Sequence, residues 1–452
     1  MDLLTTIPAF LVALGLLIVV HEFGHFGMAR WCGVKVLRFS VGFGKPIARW
    51  IAGADRTEWV IAAVPFGGYV RMLDERESES EPIDPNDLPR AFNRQPVIRR
   101  AAIVAAGPAA NLLLAILIYF VVNLVGTTDL RAVIAQPEAG TLAAEAGFAE
   151  GDLVLNMDDR AVRSWEDLRW DLLQSAGGGA RPRFLVRTPD GAERQLQLDL
   201  SGVDMDRIDS RWFAQVGLQP GGAETVVRAV TPGDPAARAG MRAGDRIVSI
   251  DGARVTSPGD VSRRVGAAPG QPLQFGIERD GGALTIALTP LEVAGAEGKP
   301  IGRVGISVGS EFRDTILVRD GPVAALRHAV GKTWQTSAFS LRMLGKMVVG
   351  RASWHNLSGP VTIADVAGRS ARIGLFAYLS FLALVSISLG VLNLLPVPVL
   401  DGGHLLYYAI EVLKGSPPSP ASVELGQRVG IGLLVVLTAL ALYNDVTRLL
   451  FQ

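Results

Sequence analysis

The stretch VVHEFGH at residues 19–25 decides how this chain is interpreted. On a helix, its two histidines lie four residues apart on one face, where both imidazoles can bind one Zn²⁺. The glutamate between them then lies beside the water that such an ion activates. The chain has only five His, so two in one motif favour a zinc site over hydrogen-bonded histidines beside an unrelated Glu.

The motif lies at the end of an apolar run, because residues 3–20 carry no charge. Ionisable side chains at membrane depth are costly and mark function by default. The N-terminus has no basic start, and the motif stands where a signal peptide would have its small-residue cleavage site. We therefore expect a retained membrane helix.

The composition indicates a mixture of membrane helices and soluble domains. The 452 residues are 49% hydrophobic, and the mean hydropathy is +0.30. These values are too apolar for an ordinary soluble protein and too polar for a protein made only of membrane helices. Basic and acidic residues balance at 44 each, so nothing in the charge suggests a nucleic-acid partner. The single Cys32 excludes an internal disulfide framework and a cysteine-ligated zinc cluster.

The charge pattern predicts four membrane helices, at about 3–28, 99–125, 373–411 and 428–449. Pro and Gly break the third at 393–403, and broken backbone at membrane depth must be buried in protein or line a wet cavity. Short strands and glycines over 30–97 predict a small β-hairpin or sheet close to the membrane. Apolar positions at helical spacing within 311–372 predict an amphipathic helix, either on the membrane surface or packed on the soluble modules.

The polar region between the second and third helices contains an internal repeat. The same residues recur at an offset of 93, as Ala146-Gly147 and Ala239-Gly240, Gly151-Asp152 and Gly244-Asp245, and Asp158 and Asp251. Two copies of a small strand-rich module are therefore expected, at 126–222 and 223–310.

A catalytic zinc takes three protein ligands and leaves one position for water. His21 and His25 supply two of them. Asp401 is the preferred third ligand, because it is bounded by apolar runs and follows the helix break. His404 lies one helical turn further on and is the rival. Glu22 is the expected general base.

Taken together, these motifs resemble the site-2 protease family of intramembrane zinc metalloproteases. The tandem insertion after the second helix resembles the family's bacterial regulator-of-sigma-E branch, and the repeated modules resemble PDZ domains. The resemblance covers essentially the whole chain and rests on three motifs: the HExxH sequence at 21–25, Gly107-Pro108 with Asn111, and Asn393, Pro396 and Pro398 with Asp401-Gly402.

The resemblance implies a polytopic α-helical membrane protein with four transmembrane helices, a membrane-associated β-hairpin region and two inserted α+β PDZ domains. It implies one Zn²⁺ per chain, bound by His21, His25 and Asp401, with Glu22 as the catalytic acid/base. Implied contacts with substrate are Asn393, Pro396, Pro398, Gly67, Gly68 and Tyr69.

The implied substrates are single-span membrane proteins of the anti-sigma-factor type, together with remnant signal peptides, and the PDZ domains would bind peptides or C-termini. The implied location is a bacterial inner membrane, with the active site toward the cytoplasm and the PDZ domains in the periplasm. Basic residues beside the first two helices fit this orientation: Arg30, Lys35, Arg38, Arg49, Arg99 and Arg100. Arg369 and Arg372, before the third helix, do not fit.

Two other classes of function remain open on the sequence. One is a non-proteolytic membrane scaffold or chaperone that binds partners through PDZ domains. The other is a zinc hydrolase acting on lipid, against which the paired PDZ domains argue because they recognise peptide.

Overall fold

The computed structural model describes residues 3–77, 83–175, 180–201, 216–294, 299–312, 314–350 and 359–451. The chain divides into two units. The first consists of Met1–Thr127 with Arg319–Gln452, and the second of Thr128–Val318.

The described α-helices are, in chain order, α1 (Leu3–Trp31), α2 (Val97–Val125), α3 (Leu142–Glu145), α4 (Trp165–Ser175), α5 (Pro235–Arg238), α6 (Pro258–Gly266), α7 (Pro322–Val348), α8 (Pro360–Ile373), α9 (Leu375–Asn393), α10 (Asp401–Lys414) and α11 (Pro420–Phe451). The strands are β1 (Val36–Ala52), β2 (Thr57–Met72), β3 (Thr127–Leu130), β4 (Leu153–Met157), β5 (Arg160–Ala161), β6 (Arg183–Arg187), β7 (Glu193–Gln197), β8 (Ala223–Val230), β9 (Arg246–Ile250), β10 (Ala253–Arg254), β11 (Leu273–Arg279), β12 (Gly282–Leu288), β13 (Leu291–Ala294), β14 (Pro300–Arg303), β15 (Ile306–Phe312) and β16 (Thr315–Val318).

Four described helices, α1, α2, α9 and α11, are long and apolar enough to cross a membrane. The predicted third span is two helices, because α9 ends at Asn393 and α10 begins at Asp401. The predicted fourth span begins earlier than residue 428. Pro420 opens α11, and the Ser419 hydroxyl accepts the N–H of Ser422, so the polar first turns remain helical.

Small residues bring the membrane helices of the first unit close together. A Cβ on Gly24 of α1 would overlap the backbone of Ala106 on α2, and one on Gly390 of α9 would lie 3.0 Å from the carbonyl oxygen of Pro108. Ala115 of α2 and Ala383 of α9 are fully buried. Helix association in lipid depends on such close packing, because lipid tails are as apolar as the side chains.

Helix α7 packs its small side chains inward, against α2 and α9, and its large apolar side chains outward. Ala325 and Ala329 are fully buried, whereas Trp334 is 74% exposed. The sequence predicted an amphipathic helix here but not this contact with α2. An apolar outer face suits lipid better than water.

Strands β1 and β2 form an antiparallel sheet in which each strand folds back on itself. Arg38 of β1 pairs with Glu58 near the start of β2 and with Arg71 near its end. The segments 46–52, 57–62, 38–41 and 68–72 therefore lie side by side in that order. Gly42 and Gly44 have φ values of 90° and 86° at the bend of β1, a conformation that favours glycine.

The second unit contains two modules with separate cores. The sheet of the first has the order β5-β4-β6-β7, and that of the second has the order β12-β11-β9-β8-β15 with β10 beside β9. Phe184 and Phe275 are buried at their centres. The second sheet extends past the predicted boundary at 310, and β16 pairs with β3 beyond it.

The repeated positions adopt the same local geometry in both modules. The Asp152 carboxylate accepts the N–H of Ala149, and the Asp245 carboxylate accepts the N–H of Arg242. Asp158 and Asp251 have φ values of 51° and 52°. The 93-residue offset is thus a repeat of structure as well as of sequence.

Candidate metal centre

The structure brings His21, His25 and Asp401 to one point. Both histidines lie on α1, and Asp401 is the first residue of α10. The Nε2 atoms of the two histidines are 3.2 Å apart. The Asp401 carboxylate oxygens lie 3.2 Å from Nε2 of His21 and 3.6 Å from Nε2 of His25.

One ligand atom from each of these three residues lies within 4.8 Å of the other two, and His404 is not part of this group among the described residues. His21 and His25 are each only 9% exposed. Two imidazole nitrogens and a carboxylate at one buried point fit a catalytic zinc, which takes three protein ligands and leaves one position open.

Helix α2 packs against both imidazole rings. The carbonyl oxygen of Ile103 accepts the Nδ1–H of His25 at 2.8 Å, which leaves Nε2 free as a ligand. One turn along, a Cβ on Gly107 would overlap the His25 ring and lie 2.9 Å from Cε1 of His21. Only glycine lets the rings pack so closely on this helix.

One turn further along α2, the side-chain amide of Asn111 faces His21. Its Nδ2 atom lies 3.2 Å from the Nδ1 atom of that ring, and its Oδ1 atom is buried with no partner among the described residues. Ser386 of α9 donates its hydroxyl to the carbonyl oxygen of Asn111 at 2.8 Å. A half-turn of the amide would place an acceptor on Nδ1–H and free Nε2 for a metal.

The break between α9 and α10 positions Asp401. The segment 394–400 folds back on the start of α10, so a Cβ on Gly402 would overlap the backbone of Leu395. The N–H of Gly403 donates to the carbonyl oxygen of Leu400 at 3.0 Å. Glycine is required at Gly402 because this close approach leaves no room for a side chain.

Glu22 lies on α1 between the two histidines and is buried. A Cβ on Gly68 of β2 would lie 2.9 Å from Cγ of Glu22 and 2.8 Å from the carbonyl oxygen of Ser40. The edge segment 68–72 of the β1–β2 sheet therefore runs directly beside the candidate catalytic carboxylate.

The residues before and after Gly68, Gly67 and Tyr69, both contact the Phe43 ring. A Cβ on Gly67 would overlap the ring of Phe43, and the ring of Tyr69 stacks on Phe43 with centroids 6.2 Å apart. Arg38 donates to the Tyr69 hydroxyl at 3.2 Å.

The three predicted substrate contacts around the helix break have different surroundings. Asn393 is half-buried at the end of α9, and Pro396 is exposed. Pro398 packs on α11, where a Cβ on Gly430 would overlap its carbonyl group. The substrate-binding roles of these residues remain predictions.

The role of the Ile103 carbonyl could not be predicted from the sequence, because a backbone acceptor has no side-chain signature. Ser386 was missed as well, since one serine in an apolar helix is common.

Comparison with known proteins adds to this geometry. The model of peptidase family M50 matches residues 9–437.

The chain belongs to peptidase family M50. A Ralstonia nicotianae protein named as a zinc metalloprotease is 46% identical over 458 residues, covering 98% of each chain. The regulator of sigma-E protease RseP of Escherichia coli is 42% identical over 460 residues, covering 99% of this chain and 100% of the relative. Protease RseP of Yersinia pestis is 41% identical with the same coverage.

A solved PDZ domain of an SdrC-like protein from Listeria monocytogenes matches 19% of this chain and 85% of its own, at 21% identity and a TM-score of 0.17. That score is too low to assign the fold of either module. Family M50 membership confirms the predicted enzyme class: the chain is a zinc metalloprotease of the membrane, with four helices able to span it.

Proposed function

We propose that this M50 peptidase binds one Zn²⁺ through His21, His25 and Asp401, and hydrolyses peptide bonds within or near the membrane span of single-span proteins. The observation that carries the proposal is the meeting of the three ligand atoms on helices flanked by membrane-length apolar segments. A bound zinc would polarise the scissile carbonyl and lower the pKa of a water molecule.

The chain's own residues account for the remaining chemistry. Glu22 takes the proton of the attacking water and delivers it to the leaving amine nitrogen. Ile103 and Asn111 keep the Nδ1 side of each imidazole engaged, so that Nε2 points at the metal.

A helical substrate hides its peptide carbonyls in its own hydrogen bonds and must unwind before attack. The outer segment at 68–72 offers an edge to which an unwound strand can pair, and Gly68 brings that edge against Glu22. The helices keep bulk water away, while the broken segment at 394–400 lines the wet cavity that hydrolysis requires.

The substrate class follows from the relatives. The Escherichia coli relative is named a regulator of sigma-E protease, so we propose an anti-sigma factor with one membrane span as the substrate, with remnant signal peptides as a second class. The location is a bacterial inner membrane, with the zinc site toward the cytoplasm. The basic residues flanking β1 and β2 support that orientation.

The two repeated modules are proposed to be periplasmic PDZ domains that screen substrates by binding peptides or C-termini. A cavity of about 660 Å³ in the second module supports this, because apolar side chains form part of its lining: Val230, Val261, Val265, Val304, Ile306 and Val308. If deleting 126–310 leaves cleavage of intact, untrimmed substrate unchanged, the screening role is wrong.

The decisive experiment compares Glu22→Gln with wild type on a purified single-span substrate in lipid vesicles. We expect the variant to retain zinc and lose cleavage, with the wild-type cut mapped by mass spectrometry inside the span. Glu424→Gln, the same change on the exposed face of α11, should cleave normally. A Glu22→Gln variant as active as wild type would favour the scaffold class and rule out the proposed base.

A further inference from the structure

A pocket of about 340 Å³ at the C-terminal end of α1 has no part in the proposed hydrolysis. Its lining combines one cation with two indole rings and a tight turn: Arg30, Trp50, Ala52, Gly53 and Trp59. Helix α1 supplies the cation, and the β1–β2 sheet supplies the rest.

The two indole rings form a stacked wall. Trp50 and Trp59 are paired across β1 and β2, with ring centroids 6.4 Å apart and planes 9° from parallel. Trp59 is fixed against the Phe26 ring of α1 at 5.2 Å. Trp50 is 48% exposed and Trp59 is half-buried, so the wall is open to solvent at the Trp50 end.

The turn after β1 lies beside the exposed Arg30 head group. Gly53 has φ +83°, and a Cβ there would lie 3.4 Å from Nη1 of Arg30. The guanidinium therefore lies close to the turn, in the pocket that the indole rings also line.

The positive charge of Arg30 is not neutralised within the part of the chain that the structure describes. Its guanidinium lies over the face of the Phe26 ring, 5.7 Å from the ring centroid. The acids of the adjacent turn and strand, Asp55 and Glu58, are both paired with other arginines. The pocket therefore favours an anion.

The pocket lies at the level of a membrane interface. The span of Leu4–Trp31 holds 28 residues, which makes it about 42 Å long, longer than a hydrocarbon core of about 30 Å. Its last turn must reach the head-group region, where Trp and Arg are favoured. Ile47 and Ile51, on the same strand as Trp50, are 72% and 59% exposed, so this part of β1 presents apolar side chains at the same level.

We propose that this pocket binds the phosphate of an anionic glycerophospholipid. Arg30 pairs with the phosphodiester, and the stacked indoles contact the glycerol region and the start of an acyl chain. Free phosphate would share the Arg30 contact but not the apolar one.

The test is native mass spectrometry of the full chain, released from detergent in the presence of phosphatidylglycerol or phosphatidylcholine. Wild type should retain one phosphatidylglycerol more strongly than phosphatidylcholine. Arg30→Gln should weaken that binding by roughly tenfold or more, as expected for loss of a charge-assisted hydrogen bond. Trp50→Ala should weaken it less.

Arg99→Gln is the matched control, because it removes an exposed cation at the start of α2 without touching the pocket. It should bind phosphatidylglycerol like wild type. Equal losses in both variants would mean diffuse charge attraction and overturn the proposal, as would equal binding of both lipids. Displacement by excess inorganic phosphate would identify a free anion as the ligand instead.

Discussion

In the proposed zinc site, we expect the buried side-chain amide of Asn111 to set which nitrogen of His21 faces the metal. A metal ligand at Nε2 requires the proton on Nδ1, and the side chain next to Nδ1 is Asn111, at 3.2 Å. Replacing Asn111 by Leu keeps the approximate volume but removes every hydrogen-bonding atom. Asn111→Asp keeps an acceptor in the same place.

Only one of the two imidazoles is affected, because His25 keeps its bond to the Ile103 carbonyl. Loss of one such supporting contact lowers metal affinity by about 10- to 100-fold, or about 1.4 to 2.8 kcal/mol. We expect Asn111→Leu to lose affinity within that range and Asn111→Asp to retain most of it.

The assay is competition for Zn²⁺ between a chelator and the purified full chain in detergent, which needs no substrate. Asn123→Leu is the matched control, because Asn123 lies on the same helix and faces α7, donating to the Ala325 carbonyl. The reasoning fails if Asn111→Leu binds zinc like wild type, or if Asn111→Asp loses as much as Asn111→Leu.

Three further variants test other parts of the structure. Gly107→Ala should lose zinc, since overpacking against both imidazoles costs about 1–3 kcal/mol; full metal content by elemental analysis would contradict this. Asp445→Ala should lower the free energy of unfolding by roughly 2–3 kcal/mol, because the Asp445 carboxylate accepts three N–H groups at the start of α8. Asp445→Asn should lower the melting temperature less than Asp445→Ala does. Equal decreases would argue against a stabilising role for hydrogen bonds from the start of α8 to Asp445. Burial opposes ionisation of Asp245, but hydrogen bonds from Arg279 outweigh it and hold the pKa of Asp245 below its usual value. Its stabilisation is therefore complete above pH 3.9, the ordinary carboxyl pKa, and is lost as pH falls below about that value. The gap in melting temperature between wild type and Asp245→Asn should close in acid; a gap independent of pH would refute this.

The sequence alone predicted two of the three residues that the structure brings together as candidate metal ligands, with no rival residue for either. His21 and His25 follow from helical spacing inside an apolar run. For the third ligand, the sequence favours Asp401 over His404, which lies one helical turn further on. In the structure Asp401 lies with the two histidines because the turn at 394–400 sets where α10 begins, and backbone geometry of that kind has no periodic signal.

Other features depend on tertiary contacts that the pattern of apolar and turn residues in the sequence does not encode. The β1–β2 hairpin was predicted, but the return of each strand upon itself was not, because it follows from bends at Gly42 and Gly44. The amphipathic pattern of α7 was visible, but the contact of its small residues with α2 depends on the fit between two helices.

The distance along the chain between His25 and Asp401 has a consequence for biosynthesis. A ribosome adds roughly 5–20 residues per second, so the first two ligands enter the membrane well before the third exists. If Asp401 is the third ligand, the centre stays incomplete during that interval and hydrolysis waits until the C-terminal helices have been made.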